Sequence, residues 1–288
     1  MQLQKRITSS ASGTIGSLRK LFRSKQSKVG GLILLVIGII IGVGSIIEPF
    51  SPNAYGSNIN APPSYQHPFG TDYVGHDLLS QVIYGAYPSL LVSLVAAVGA
   101  SLIGVFAGIF AGYYGKLDFL IGGGGDVILT FPSLALMIMI GLILPFSDGL
   151  LVFMLIFVLW PTVSRSVRPQ VASVKQLPYL EASKMAGVSD LRILWKVIAP
   201  TVGAIGFAYF IINVSLAIIL TTVLELLGVG NPNIVTWGSI LYWAQNYGYV
   251  LGDWWWIFFP GAIITIVVIA FALLGFSAEE IFDPRLRR

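Results

Sequence analysis

LPYLEASKMAGVSDLRILWKVIAP, residues 177–200, reads as helix, break, helix. Pro178 suits a first helical turn, where its missing N–H is no loss, and Gly187 a left-handed stop. Ser189 suits an N-cap, and Pro200 the end of the second helix or the start of the next. Ala182, Ser183 and Ala186 share one small-residue face of the first helix, which lets another surface approach closely. Leu191, Leu194, Trp195 and Ile198 form an apolar stripe on the second, expected to pack on a neighbouring bundle. Alone, the pattern suits either an amphipathic connector resting on a membrane surface or a handle for another protein.

What flanks it is strongly apolar. Of the 288 residues, 56% are hydrophobic and 10% charged, and the mean hydropathy is +0.83. Soluble domains carry about a quarter charged residues, so this is an integral membrane protein. The absence of cysteine excludes disulfides, thiolate metal sites and cysteine nucleophiles. A helix needs about 20 apolar residues to cross a bilayer, and the charge-free runs are Val29–Ile47, Leu78–Gly115, Val127–Ser147, Gly149–Ser164, Val197–Leu224 and Trp254–Ala278. These predict an all-α, polytopic protein with six transmembrane helices. The second run exceeds one span, and Pro88 with Ser89 offers a helix start. Leu78–Tyr87 is therefore expected to be an interfacial segment, and Pro88–Gly112 the span. The fourth run is short, ending near Trp160 and Pro161.

Lysine and arginine number seven before the first span, one between the second and third, six between the fourth and fifth, and three after the sixth, which accounts for all 17. The alternate loops, Glu48–Tyr87, the turn at Asp148 and Glu225–Asp253, have none. The positive-inside rule then places both termini in the cytoplasm. The expected organisation is a basic cytoplasmic tail (1–28), a first transmembrane helix (29–47), an external loop (48–87), a five-helix core (88–278) and a cytoplasmic C-terminus (279–288). The core includes a cytoplasmic loop (165–200) and an external loop (225–253). The tail, with Arg19, Lys20, Arg23, Lys25 and Lys28 beside Leu18, Leu21 and Phe22, suits anionic lipid. Tyr242, Trp243, Tyr247, Tyr249 and Trp254 to Trp256 fall at the outer face, where aromatic rings favour the headgroups.

The external stretch HPFGTDYVGHD, 67–77, holds both histidines and two acids. Its histidines are nine residues apart on a Pro- and Gly-rich backbone, not at the i, i+4 spacing that aligns two ligands on a helix. A structural loop closing over the helix ends is favoured over a metal site, with Asp77 capping the segment from Leu78.

Glu181-Ala182-Ser183, three residues, Gly187, nine residues, then Val197-x-Ala199-Pro200 resembles the EAA-x3-G-x9-I-x-L-P signature of permease subunits of ATP-binding-cassette importers. The chain is similar to the dipeptide, oligopeptide and nickel branch, second permease type, in HPFGTDYVGHDLLS, YGAYPSL, AGYYG (111–115), FPSLAL (131–136), LLGVG (226–230), TWG (236–238), FPG (259–261) and DPRLR (283–287). The likeness covers about residues 67–287. His76 stands where the family usually has Arg, and Gly122–Gly125 depart from its pattern, suggesting a more flexible inner end of span three.

The resemblance implies a type I importer permease fold in a prokaryotic plasma membrane. It also implies one further homologous permease, two ATPase subunits and an extracytoplasmic binding protein, with no nucleic acid. Glu181, Ala182, Ser183, Ala186, Gly187 and Pro200 would be the ATPase-coupling residues, and His67, Gly70, Asp72, Gly75 and Asp77 the external family loop. The chain itself has no G-x-x-x-x-G-K-[ST], Gly115-Lys116 being followed by Leu117. It is expected to be no enzyme and to bind no cofactor or metal, ATP and Mg belonging to the partner ATPases. Its cargo would be peptides, oligosaccharides or metal chelates handed over by the binding protein. Asn213, Ser215, Thr221 and Thr222 are candidates for the translocation path, although helix-to-helix hydrogen bonding explains them equally well. Gly104, Gly108 and Gly112 mark a close-packing face of span two. An ion-coupled secondary transporter is disfavoured because no span as read carries an internal charge, and a metal-dependent membrane enzyme would need His67 and His76 as ligands.

Overall fold

Asp77 opens a 36-residue helix, Leu78–Tyr113, by accepting hydrogen bonds from the Ser80 N–H (2.9 Å) and the Ser80 hydroxyl (2.8 Å). The computed structural model describes residues 24–47, 56–231, 233–248 and 252–282, and the expected sites within 1–23, at Glu48, at Tyr249 and in DPRLR lie outside them. In chain order the helices are Lys25–Ile47 (α1), Leu78–Tyr113 (α2), Gly115–Thr130 (α3), Ser133–Ile143 (α4), Asp148–Lys175 (α5), Pro178–Met185 (α6), Asp190–Leu226 (α7), Trp237–Trp243 (α8) and Trp254–Phe282 (α9). Helices α1, α2, α5, α7 and α9 are long and apolar enough to cross a membrane, and the bent pair α3–α4 would make a sixth crossing.

Four expectations about these elements are corrected. Lys25 and Lys28 belong to the first turn of α1 and not to the tail. Pro88 does not start a helix. Helix α2 runs through it as one 36-residue helix, about 54 Å long, since a proline removes one backbone hydrogen bond and leaves the rest of the ladder. The Ser89 hydroxyl there accepts the Trp237 N–H at 3.0 Å. The third run is not one straight helix: α3 and α4 meet at 90°. Phe131 (φ −91°, ψ 141°) is extended, as the residue before a proline tends to be, and Pro132 cannot supply the N–H that would continue the ladder. Finally, α5 continues past Ser164 to Lys175, so the segment after 165 begins as helix. Arg165 ends the charge-free run but not the helix.

Helix α2 packs along α5, while α7 lies between α2 and α9, and α1 docks on α9. The stripe Gly104, Gly108 and Gly112 faces α5: a Cβ at each would come within 2.7, 2.9 and 2.6 Å of the carbonyl oxygens of Trp160, Ser164 and Arg168 respectively. Only glycine lets the two backbones approach so closely. Gly122–Gly125 are helical, with Gly125 against Pro161 of α5. Beside them the Arg168 guanidinium reaches Asp118 at 2.7 Å, which pins this end of α3 to α5. Leu32, Leu35, Leu102 and Ile269 stay exposed on the long helices, as lipid-facing residues must.

Candidate functional site

The hairpin α6–α7 is built as its spacing predicts, with differences at Ser189, at Pro200 and in the apolar stripe. Pro178 begins α6, and Gly187 (φ +79°) ends it in the left-handed region, its N–H bonding the Lys184 carbonyl at 2.9 Å and the Val188 N–H that of Ser183 at 3.1 Å. Ser189 starts α7 through its carbonyl, which accepts the Arg192 N–H at 3.0 Å, while its hydroxyl makes no capping bond. The second helix then runs without interruption into the next span. Leu194–Ile198 form one π turn, and Pro200 falls just beyond it, so the missing proline donor is absorbed by local rewinding. The buried residues here are Ile193, Leu194 and Ile198, whereas Leu191 is 62% and Trp195 54% exposed. The stripe is therefore rotated from the expected one, and Trp195 meets the edge of Phe106 (5.8 Å).

One side of α6 is anchored and the other is bare. Leu180 is buried with Val167, Val171, Ile193 and Ile198. Glu181, Ala182, Ala186 and Gly187 are exposed, as is Met185 at 91%, and Ser183 is half-buried with its hydroxyl turned back to the Tyr179 carbonyl at 2.7 Å. The anchor continues at Tyr113, 2% exposed, at the end of α2. Its hydroxyl donates to Asp190 of α7. The Lys175 ammonium donates to its carbonyl at 2.7 Å, and Lys184 of α6 lies 4.7 Å from its ring centroid and 3.5 Å from Asp190. Hydrogen bonding to Tyr113 raises the Lys184 pKa above the usual lysine value. Four helices thus meet at one phenol. Sequence reading missed this knot, though AGYYG and the charges at 175, 184 and 190 were visible, because nothing in their spacing places them together.

At the opposite end of the bundle, HPFGTDYVGHD folds into a compact loop. His67 Nδ1 pairs with Asp77 Oδ1 at 3.0 Å, and His76 Nδ1 with Asp72 Oδ2 at 2.8 Å. Asp72 Oδ1 also accepts the Val74 and His76 N–H groups at 3.0 and 2.8 Å. Gly70 (φ +79°) and Gly75 (φ +85°) take conformations open to glycine, and a Cβ on Gly70 would meet the Ala61 carbonyl at 2.7 Å. The two histidines are joined to separate carboxylates, and among the described residues no group of three or more potential ligands gathers around a common point. Phe69 stacks on Phe259 (4.3 Å) and Tyr73 on Tyr247 (4.3 Å), so the loop lies over the ends of α8 and α9.

Asn213, Ser215, Thr221 and Thr222 are all buried within the chain. Asn213 Nδ2 donates to Ser101 of α2 at 3.4 Å, and among the described residues the Ser215 and Thr221 hydroxyls have no hydrogen-bond partner. Thr221 is also one of the residues around a cleft lined by Ser89, Asp148, Glu225, Asn231 and Thr236. Glu225 belongs to the last turn of α7 and is only 9% exposed, so a span does carry an acid near one end. Its Oε2 accepts the Thr236 hydroxyl at 2.6 Å, and the Gly238 backbone also bonds it. Thr236 caps α8, sharing a reciprocal box with Ser239. The lone acid between Thr222 and Gly228 was the available signal for this cluster.

Residues 100–288 match a family described as binding-protein-dependent transport system inner membrane component. The chain is 33% identical to a putative peptide transport system permease protein of Brucella suis, over 93% of this chain and 91% of the relative. It is 33% identical to a dipeptide transport system permease of Bacillus subtilis, over 97% and 88% of the two chains. To an oligopeptide transport system permease of Bacillus subtilis it is 30% identical, over 93% and 88%.

Proposed function

This chain belongs to the family of binding-protein-dependent transport system inner membrane components, and from that premise we propose that it carries peptides inward through a path shared with a second, homologous permease. It is a multi-pass permease subunit of an ATP-binding-cassette importer in a prokaryotic plasma membrane, not itself an enzyme; ATP is hydrolysed by a separate subunit. Two such ATPases, holding ATP and Mg, drive the cycle, and an extracytoplasmic binding protein delivers the cargo. Peptide is favoured over oligosaccharide because the relatives are named for peptide transport.

The observation that carries the mechanism is the two-sided character of α6. Its Glu181–Gly187 surface is free to enter a groove on an ATPase, while Leu180 and the Tyr113 knot tie it to α2, α5 and α7. Closure of the ATPases would displace α6, and a rigid tether passes that displacement to the spans instead of absorbing it locally. The hairpin end is then cytoplasmic and the histidine loop external, a sidedness that the distribution of lysine and arginine supports. The test is Glu181→Lys and Gly187→Pro in the assembled importer. Both variants should insert normally and lose at least about tenfold in ATP-dependent uptake, a shift of about 1.4 kcal/mol in coupling. Wild-type uptake in both variants would remove α6 as the coupling element.

A further inference from the structure

The first turns of α7 carry two bare cations beside two exposed apolar side chains. We propose that Arg192, Trp195 and Lys196 form a docking site for an anionic phospholipid of the inner leaflet, a reading that rests on the cytoplasmic placement of the α6–α7 hairpin in the permease assignment above. Arg192 and Lys196 are exposed, and among the described residues neither side chain has a hydrogen-bond or ion-pair partner. Other cations of this end are engaged. Arg168 is held by Asp118, Lys175 by the Tyr113 carbonyl and Lys184 by Asp190. Asp190, the acid nearest to Arg192 in sequence, is taken up by Lys184 and Tyr113. Arg192 and Lys196 are therefore available to an anion from outside the chain.

The apolar surroundings select a lipid over a soluble anion. Leu191 and Trp195 are both more than half exposed, which is unfavourable in water and suits the boundary between headgroups and acyl chains, where tryptophan concentrates. The level agrees. Lys196 is the last charge before the apolar run Val197–Leu224, so Trp195 stands at the edge of the span. Phe106, Ile109 and Phe110 of α2 and Leu194, Trp195 and Ala199 of α7 line an apolar notch beside it, and Leu102 and Phe207 stay exposed further along the same two helices. An acyl chain laid on this seam covers the apolar side chains while its phosphate meets Arg192 and Lys196, whose methylene stems can follow the apolar surface. A soluble phosphate would use the cations and leave the notch bare.

The test uses the purified complex of permeases and ATPases in phosphatidylcholine nanodiscs that hold a trace of either phosphatidylglycerol or phosphatidylcholine with a diazirine on its acyl chain. After photolysis, adducts are mapped on this chain by mass spectrometry. The phosphatidylglycerol probe should label the segments Phe106–Phe110 and Leu194–Ala199 at least about fivefold more than the phosphatidylcholine probe, the share of one basic residue near an anionic lipid surface. Combining Arg192→Gln with Lys196→Gln should abolish that preference. Equal labelling by the two probes, or a preference unchanged in the double variant, overturns the site. So does absence of adducts at both segments, which would show another protein surface covering the seam, or suppression by inorganic phosphate at constant ionic strength, which would give the cations to a soluble anion. Should the double variant fail to assemble, Lys196→Gln alone takes its place, with an unchanged preference again decisive. Both faces of a nanodisc hold the probes, so the result does not depend on topology. Loss of the preference in a complex that imports peptide with ATP removes the site alone, whereas peptide import without the ATPases removes the permease reading.

Discussion

Asp253 and Tyr113 show how differently two buried polar residues can behave. Asp253 is 5% exposed, and its Oδ2 has no hydrogen-bond partner among the described residues. Burial raises its carboxyl pKa above the ordinary value, so the folded chain favours the neutral acid. The stability it contributes is complete below the unfolded pKa of about 3.9 and is lost as pH rises through the higher folded value. Asp253→Asn should therefore stabilise the protein by about 1 kcal/mol at pH 7 and by nothing near pH 3, measurable as thermal melting in detergent. Tyr113 is the opposite case, with its polar atoms engaged. Tyr113→Phe keeps the ring under Lys184 and the carbonyl bonded to Lys175, yet releases Asp190. We expect about 1 kcal/mol of destabilisation and a several-fold fall in peptide moved per ATP, read by paired uptake and phosphate-release assays. Of these roles, the αL stop at Gly187 and the cap at Asp77 were legible in sequence because both are local. The pairing of Tyr113 with Asp190, 77 positions apart, had no local signature.

At the scale of elements, glycine spacing and proline position had opposite fortunes. The Gly104–Gly108–Gly112 stripe marked a close contact, and α5 proves to be its partner, with Val163, Val167 and Val171 over the three glycines. Gly108→Val should destabilise the bundle by roughly 2 kcal/mol or more, since the added atoms meet the Ser164 carbonyl and the Val167 side chain. Retained wild-type melting would show that α2 and α5 can separate freely. Proline was less informative: Pro88, Pro161 and Pro169 lie inside helices, while Pro132 turns the chain by 90°. A proline removes one hydrogen bond wherever it stands, and whether the helix survives depends on neighbours that supply or exclude substitutes. The same reasoning explains why the apolar stripe of α7 was misplaced. The π turn at Leu194–Ile198 shifts the angular register, so Trp195 rotates outwards and Ile193 inwards.

For the whole molecule, the two ends of the bundle carry different chemistry, and their sidedness can be checked directly. Tyr65 is fully exposed and Met185 91% exposed, on the histidine-loop and hairpin ends respectively. In right-side-out vesicles, an impermeant maleimide should label Tyr65→Cys and leave Met185→Cys unmodified; the reverse pattern would invert the topology and detach α6 from any cytoplasmic ATPase. A bifunctional cross-linker at Ala182→Cys or Ala186→Cys should capture an ATPase chain in native membranes. Failure to capture one from either position would contradict docking through this face. Composition, apolar run length and the one-sided distribution of lysine and arginine determined a polytopic helical protein and its expected orientation, because partitioning into a bilayer depends on the content of each segment and little on its neighbours. Only the tertiary structure decided that the third run is broken, that α5 extends well beyond its apolar stretch, and that Glu225, Thr221 and Asp148 share one cleft. Those outcomes depend on which helix faces which, and contacts between residues far apart in the chain arise from packing that no local pattern records.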